Sequence, residues 1–414
     1  GWLNLVGLIA ILASVAYGCA TFLDLTLGTF SQTWLDGYSL KRTFLLFVVI
    51  LAISALINIF SSHLLAVLNN ISVWWHVIGA AAVILILFLV PKQHASFSDV
   101  FAKTINNSGM FGGATSGWGW LLFVLPISAI LTQYTITGYD ASAHLSEETK
   151  SAANASAKGI WRSIFYSAIG GWILLLSFLF AVQDPDHVSA SGGAVVTIFN
   201  QALPQSMVVL VLFISTAGQF FCTTACQTSA SRMLFAFSRD RAVPGHQLWS
   251  KVNTNRVPSA AVIVTATLAA IITLPALVEV DINGAPVPVA FFAVVSIGVV
   301  GLYLCFAVPI FLRWRMGDRF EVGRWNLRGH HRWMAPVAVL EIVITSAIAM
   351  FPTSSGGVPW NSGVFEWKYV NYTPLLVGGV LILLWIYWHV SVKHWFTGPI
   401  KQVELAGDEV HEVG

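Results

Sequence analysis

Ten apolar stretches of about 20 residues follow one another along the chain, and they restrict the possible folds more than any other feature. A transmembrane helix needs about 20 mostly apolar residues. Only 10% of the 414 residues are charged, against about 25% in a typical soluble domain, so the surface of such a fold suits lipid better than water. We therefore predict an all-α integral membrane protein embedded in a lipid bilayer. Its spans are predicted over 2–27, 43–66, 69–90, 122–149 (interrupted), 160–182, 207–237, 258–279, 288–312, 333–351 and 372–392.

The basic residues predict the orientation of these spans. If residue 1 lies on the cytoplasmic side, the outer loops hold five of the 21 Lys and Arg residues, and the inner loops, helix ends and tail hold the other 16. Cytoplasmic loops of membrane proteins carry an excess of Lys and Arg. We expect a multi-pass protein of the plasma (cytoplasmic) membrane with a cytoplasmic C-terminus. The net charge of +2 is too small to indicate a nucleic-acid partner.

The fourth apolar stretch is interrupted by the polar sequence TITGYDASAHLSEETK, residues 135–150. Within hydrocarbon, a backbone leaves helical geometry only where protein or a water-filled cavity satisfies its polar groups. Gly138 tolerates dihedral angles that other residues resist, and the Thr135 and Thr137 hydroxyls can bond to freed carbonyls. A broken helix with two half-helix ends is how transporters hold charged substrates and ions. The alternative is that Gly138 simply ends the helix and an amphipathic cytoplasmic segment follows.

Residues that would indicate an enzyme are absent from the sequence. It contains no HExxH and no GxSxG motif, and no paired intramembrane histidines. The four cysteines fall within apolar runs and show no zinc spacing, so small packing residues are the ordinary interpretation. We expect no enzymatic activity, no cofactor and no metal.

Four stretches together resemble amino acid permeases of the amino acid–polyamine–organocation (APC) superfamily, in the branch that includes γ-aminobutyrate and choline permeases. The segment from residue 138 resembles the family's sixth helix and the loop after it, and the first apolar stretch resembles its third helix. The other two resemble the region of the eighth and ninth helices and the cytoplasmic tail. The stretches are GYDASAHLSEETKSAANASAKGIWRSI, GWLNLVGLIAILASVAYGCATF, SASRMLFAFSRDRAVPG with NRVPSAAV, and HWFTGPIKQV.

The resemblance implies a core of five plus five helices related by an inverted repeat, with two extra helices. Ten of the expected twelve helices are then present, and the family's first two are expected to be missing. The implied organisation is helices three to five over 1–90, an extracellular loop over 91–119, helices six to ten over 120–312, a basic cytoplasmic loop over 313–332, helices eleven and twelve over 333–392, and a cytoplasmic tail over 393–414.

The resemblance also implies where the substrate binds. The unwound part of the sixth helix corresponds to Thr135–Tyr139, with Tyr134 where relatives often have a gating aromatic. An aromatic there can form a cation–π contact with an ammonium group, although interfacial packing is the alternative. The polar face of the eighth helix holds Gln219, Cys222, Thr223 and Cys226. The implied substrate-binding residues are Tyr134, Thr135, Ile136, Thr137, Gly138, Tyr139, Thr223, Cys226, Ser14 and Tyr17.

Two titratable residues are candidates for proton coupling. His76 aligns with a position where several proton-coupled relatives carry a lysine, and a histidine exchanges protons near neutral pH. A packing role for His76 is equally weighted. Asp140 takes the place of an acidic residue that takes part in proton-linked gating in some relatives, or it is a solvated first-turn residue. Glu341 lies outside the implied core, and we expect it to have a structural or dimer-contact role.

The function that the resemblance implies is secondary transport by alternating access. The substrate would be a small zwitterionic amino acid or a related amine such as γ-aminobutyrate, and protons would drive it. The alternatives are an amine, choline or polyamine exchanger, and a sensor that keeps the permease fold without transport. A homodimer is possible for such a protein.

Overall fold

The computed structural model describes residues 1–398 apart from residues 61, 191, 192, 279, 283, 284, 288 and 324. Ten helical segments in it are long and apolar enough to cross a membrane, which agrees with the predicted number. The tail predicted over 393–414 lies outside the described residues from 399 onward, as do the predicted range ends 279 and 288. The long helices are α1 (Trp2–Gly28), α2 (Leu40–Phe60), α3 (Ser62–Leu89), α4 (Ile130–Ile136) and α5 (Ala141–His144) of the interrupted span, α6 (Ala152–Ala181), α7 (Gln205–Arg239), α8 (Ser259–Thr273), α9 (Val289–Met316), α10 (His331–Ala349) and α11 (Thr373–Val390).

Short elements lie in the connections. One antiparallel pair, β1 (Val280–Ile282) and β2 (Ala285–Val287), precedes α9. Two-strand pairing of this length leaves the all-helical architecture unchanged. The short helices are Gln32–Asp36, Phe97–Phe101, Gly117–Gly119, Leu125–Ser128, Pro185–Ala190, Ala194–Ala202 and His246–Trp249; Trp120–Val124 is π-helical; and 3₁₀ turns cover Met110–Gly113, Ser146–Glu148, Leu274–Leu277, Gly317–Arg319, Arg328–His330, Ser355–Gly357, Trp367–Tyr369 and Val392–His394.

Several boundaries differ from the prediction: α6, for example, begins at Ala152 rather than 160, and the end of α2 differs for a visible reason. The sequence placed a single span over 43–66, whereas α2 ends at Phe60 and α3 begins at Ser62. The last carbonyls of a helix have no partner within that helix. Here Asn255 Nδ2 donates to the Phe60 carbonyl at 2.6 Å, from a loop almost 200 residues away in sequence. The end of α2 is therefore fixed by a distant loop rather than by the local apolar pattern.

The first span, α1, is the most deeply buried of the ten and packs mainly against α7 and α9. Its contact with α9 is close because glycines meet there. A Cβ added at Gly301 would lie 3.2 Å from the Leu3 carbonyl oxygen and 3.6 Å from the Gly7 Cα. Small residues at such crossings let two membrane helices approach closely. This packing holds α1 against the helices that carry the candidate site.

The interrupted span begins at Gly117 and is irregular along its whole length. After a π-helical turn over Trp120–Val124 it resumes α-helical geometry, and α4 ends at Ile136. Thr137 is extended, and Gly138 has a φ of +101°. Helical geometry returns only at α5, so residues 137–140 form the unwound segment. The resemblance placed it at Thr135–Tyr139, but Thr135 and Ile136 lie in the last turn of α4, whose helical geometry continues to Ile136.

Candidate functional site

The unwound segment, residues 137–140, exposes backbone groups that a continuous helix would use. The Thr137 N–H donates to the Tyr134 carbonyl, and the next bonded amide is that of Ala141, which donates to the Gly138 carbonyl. Among the described residues, the N–H groups of Gly138, Tyr139 and Asp140 therefore have no hydrogen-bond acceptor. Successive free amides of this kind form a site for an anion.

Two threonine hydroxyls bond back to carbonyls of α4 just before the break. The Thr137 hydroxyl donates to the Gln133 carbonyl at 2.8 Å, and the Thr135 hydroxyl donates to the Leu131 carbonyl at 2.8 Å. A Cβ added at Gly138 would have no heavy atom within 4 Å. The segment therefore borders open space, and its glycine is required by the positive φ rather than by crowding.

Tyr134 and Ser14, both predicted from the sequence, are brought together by the fold. The Tyr134 hydroxyl lies 2.8 Å from Ser14 Oγ, and Ser14 also donates to the Ile11 carbonyl at 3.0 Å. The Tyr134 ring packs on a buried apolar cluster that includes Leu302 of α9. One aromatic side chain thus connects α1, α9 and the half-helix that leads into the unwound segment.

The two predicted residues of α7 have different surroundings. Thr223 is fully buried, and its hydroxyl donates to the Gln219 carbonyl at 2.9 Å. Cys226 is half-buried and packs on the same apolar cluster as Tyr134. Gln219 itself reaches α1, because a Cβ added at Gly18 would lie 2.9 Å from Gln219 Oε1. Gln219 was not among the predicted substrate-binding residues. Its position one turn before Thr223, on the polar face of the helix, could have indicated it.

The remaining predicted residues of the first and fourth spans pack against neighbouring aromatics. The Tyr17 ring is buried edge-on against Phe47 of α2, with centroids 5.8 Å apart. The Tyr139 ring lies 5.4 Å from Phe306 and 6.3 Å from Tyr303, both on α9. Tyr17 therefore lies on the α2 side of α1, whereas Tyr139 lies between the unwound segment and α9. Ile136, also predicted, is half-buried at the end of α4.

Asp140, at the end of the unwound segment, is buried and paired with a histidine. Its Oδ2 lies 2.9 Å from His144 Nε2, and its Oδ1 is buried without a hydrogen-bond partner among the described residues. The sequence analysis did not select His144. The i,i+4 spacing across the start of a helix was the signal for this pair, since such residues lie on one face.

His76 lies on α3, where its ring faces α7. Its Nδ1 is 2.7 Å from the Ser72 carbonyl oxygen of its own helix, α3. The ring lines an open groove of about 320 Å³ beside α7. A Cβ added at Gly218 would lie 3.6 Å from His76 Nε2, and Gln219 lines the same groove. The imidazole is therefore next to the polar face of α7.

The loop after α5 is fastened to the end of α7 by two ion pairs. Arg232 Nε donates to Glu148 Oε1 at 2.7 Å, and Arg239 Nη1 donates to Glu147 Oε2 at 2.7 Å. The hydrogen bond from Arg239 lowers the pKa of Glu147 below its ordinary value. Arg232 is buried, and its Nη1 and Nη2 have no partner among the described residues. Glu148 is thus the counter-ion of a buried guanidinium.

The described residues contain no group of three or more His, Cys, Asp or Glu side chains that could hold a metal ion. The polar groups that converge on the unwound segment are free amides, hydroxyls and one carboxylate–histidine pair. Such groups can bind a small ligand that carries both charges.

Comparison with known proteins gives consistent matches over most of the chain. A family model described as amino acid permease matches residues 1–392. Amino-acid permease BAT1 of Arabidopsis thaliana is 33% identical over 97% of this chain and 77% of its own length. A BAT1 homolog of Oryza sativa is 32% identical over 98% of this chain and 76% of its own length. A putative polyamine transporter of Candida albicans is 23% identical over 80% of this chain and 60% of its own length.

Proposed function

The chain belongs to the amino acid permease family of the APC superfamily, a family of transporters rather than enzymes, and on that basis we propose which substrate it moves and how. The substrate is a small zwitterionic amino acid or a related amine such as γ-aminobutyrate. Protons drive its uptake across the plasma membrane, by alternating access around a central site.

The observation that carries this proposal is the run of three free amides at Gly138, Tyr139 and Asp140. A substrate carboxylate accepts hydrogen bonds from these N–H groups, as anions do at backbone nests. The ammonium group then lies toward Tyr134, where the aromatic face offers a cation–π contact. The Ser14 contact holds this ring across the site. Thr223 and Cys226 of α7 complete the wall.

Proton coupling is proposed to use His76 and Asp140. A histidine can change its charge between about pH 5 and pH 8, and His76 stands beside the polar face of α7. Asp140 adjoins the free amides, so a change in its charge alters how strongly they attract a substrate carboxylate. His144 Nε2 lies 2.9 Å from the same carboxylate and holds it in place beside the unwound segment.

Alternating access is proposed to involve the loop after α5, which closes the inner side. Two ion pairs hold this loop against α7, and they must separate when the inner half-helix moves. The proposed orientation places this loop and the C-terminus in the cytoplasm, which follows from the excess of Lys and Arg there. We also propose that the chain is organised within the domain limits given above and that it assembles as a homodimer.

The test is uptake into proteoliposomes by the protein expressed from its complete gene. Labelled γ-aminobutyrate, choline and a panel of amino acids are supplied with and without an inward proton gradient. His76→Ala is compared with His94→Ala, which changes an exposed loop histidine. Gradient-driven, saturable uptake that is lost only in His76→Ala supports the proposal.

Two other outcomes point elsewhere. Uptake without any response to the gradient, but stimulated by substrate inside the vesicles, favours an exchanger of amines or polyamines. The Candida albicans relative named a polyamine transporter gives that alternative its support. Failure of well-folded protein to take up any substrate favours a sensor with the permease fold.

A further inference from the structure

Glu341 is a carboxylate near the middle of α10, a helix that is otherwise apolar at that depth. Its side chain is exposed on the surface of the helix. An ionisable group at this depth in a membrane is costly unless it has a partner, and it usually has a function. The partner here is Gln133, whose Nε2 donates to Glu341 Oε1 at 2.5 Å.

Gln133 connects this carboxylate to the substrate site. It precedes Tyr134 in α4, and its Oε1 accepts a hydrogen bond from the Tyr303 hydroxyl of α9 at 3.0 Å. Its backbone carbonyl accepts from the Thr137 hydroxyl at 2.8 Å and lies 3.5 Å from the same Tyr303 hydroxyl. One residue thus joins α10, α9 and the unwound segment, which explains why Glu341 is not an isolated charge.

A small cavity and a buried hydroxyl lie beside the Gln133 amide. A small cavity of about 10 Å³ is lined by Gln133, Tyr303, Thr345 and Ser346. Ser346 Oγ is buried there and has no hydrogen-bond partner among the described residues. The amide therefore has free volume and a further polar neighbour on one side.

We propose that Glu341 is a protonatable positioning residue, which controls the unwound segment through Gln133. When ionised, Glu341 accepts from Gln133 Nε2, and Tyr303 donates to Gln133 Oε1, as the structure shows. When Glu341 binds one proton, its hydroxyl donates to Gln133 Oε1, and the amide turns so that Nε2 donates to the Tyr303 oxygen. The Tyr303 hydroxyl then donates to the backbone carbonyl of Gln133, which also accepts from the Thr137 hydroxyl. This competition weakens the bond between Thr137 and the end of α4.

The surroundings of Glu341 hold one direct polar partner, the Gln133 amide, whose hydrogen bond to the carboxylate is charge-assisted. The titratable side chains on the elements packed around Glu341 are Tyr303 and Cys305 of α9 and Tyr139 and Asp140 of the unwound segment. No lysine or arginine is among these described neighbours, so the charge of Glu341 is balanced by a neutral donor alone.

This inference rests on the proposed transport function. It adds Glu341, which does not contact the substrate but acts on the substrate site through Gln133. The competing role is contact with a second copy of the chain, since the exposed face of α10 could be covered by a neighbour. That role requires Glu341 to change the oligomeric state. It does not require any effect of pH on substrate affinity.

The experiment compares the wild type with Glu341→Gln, a neutral isostere. Glu366→Gln is the matched control, because it removes a loop carboxylate that pairs with Lys368. The KM and kcat for the labelled substrate are measured between about pH 8 and pH 5. We expect the wild-type KM to change about fivefold more than that of Glu341→Gln, from the difference between a charged and a neutral hydrogen bond. Gln133→Leu should have an equally flat profile, and the double variant should add nothing further.

A second readout does not depend on transport. Infrared difference spectra on acidification should show a carboxylic acid band in the wild type and in Glu366→Gln that is missing from Glu341→Gln. An unchanged band, or a wild-type pH profile in Glu341→Gln, overturns the proposal. So does an altered oligomeric state in crosslinking with the pH profile preserved, which favours the interface role. If the wild type moves no substrate, the transport proposal fails, and the infrared band still decides whether Glu341 titrates.

Discussion

Removing the charge of Glu148 should open the inner side of the protein. Glu148 is the counter-ion of the buried Arg232, and their contact fastens the loop after α5 to α7. The variant Glu148→Gln leaves the guanidinium buried opposite a neutral amide. Any state in which the loop separates from α7 lets water reach Arg232, so that state gains stability relative to the closed one.

The size of the effect follows from how buried each partner is. Arg232 is 5% exposed, whereas the Glu148 side chain is 44% exposed and partly screened by solvent. A hydrogen bond to a charged group contributes about 1.5–3 kcal/mol, and an exposed ion pair contributes about 0–1 kcal/mol. The contribution of the Arg232–Glu148 pair should lie between these two values, at about 1–2 kcal/mol. The equilibrium should then shift toward the open state about 5–30-fold.

The matched control is the neighbouring pair. The Glu147 side chain is 57% exposed and its partner Arg239 is 23% exposed. Glu147→Gln removes a carboxylate from the same loop and at the same distance from its arginine. Because both partners meet solvent, its effect should be about 0.5 kcal/mol, or about twofold.

The assay is the rate at which a membrane-impermeant thiol reagent labels Cys226 when it is added on the side of the membrane that holds the loop after α5. Cys226 lies on α7 less than two turns before Arg232 and is half-buried beside Tyr134. The other three cysteines are replaced by alanine so that Cys226 is the single target. Equal labelling in Glu148→Gln and Glu147→Gln, or slower labelling in Glu148→Gln, would refute the reasoning that a buried counter-ion closes this side.

Three further variants test the unwound segment and its loop. Gly138→Ala should lower uptake about 5–30-fold, because φ is +101° there and a side chain in this backbone region costs about 1–2 kcal/mol; Gly170→Ala in α6, where a Cβ also meets nothing within 4 Å, should leave uptake unchanged. Tyr134→Phe removes a hydroxyl 2.8 Å from Ser14 and should raise the KM about 2–10-fold, and Ser14→Ala in that background should add little. Because the pKa of Glu147 is lowered in the folded protein, the ion pair with Arg239 stabilises the fold at neutral pH. This stabilisation decreases as the pH falls below about 4.5, the ordinary value, and is lost below the lowered folded-state pKa. The melting temperature of Glu147→Gln should accordingly lie slightly below that of the wild type at neutral pH and match it in acid.

The spans could be predicted from the sequence because hydrocarbon imposes the same requirement on every residue. A backbone in lipid must satisfy its own polar groups, so apolar length alone locates the ten helices. The break was predictable for a related reason. Thr137, Gly138 and Asp140 are unfavourable in a lipid-facing helix, and together they mark where the backbone leaves it.

The contacts between spans could not be predicted in this way. Gln133 and Glu341 lie 208 residues apart, and Arg232 and Glu148 lie 84 apart. No local pattern specifies which of the intramembrane polar residues will meet. The resemblance to a known family helped with Ser14 and Tyr134, but it assigned Glu341 only a structural or dimer-contact role.

Hydroxyl groups alone do not distinguish a site in this protein. Thr223 and Thr135 both donate to the carbonyl one turn earlier in their own helix, which a threonine in any membrane helix can do. Polar side chains of other spans also bond across helices, as Asn58 of α2 does with Thr224 and Thr228 of α7. In the stretch from Gln133 to Glu148, such bonds flank an unwound backbone. Tyr134 bonds to α1, Gln133 bonds to α9 and α10, and Glu148 bonds to α7. A segment with an unwound backbone and partners on four helices cannot move without changing several of these bonds together. Under the proposed function, this coupling is what would let protons and substrate act on the same equilibrium.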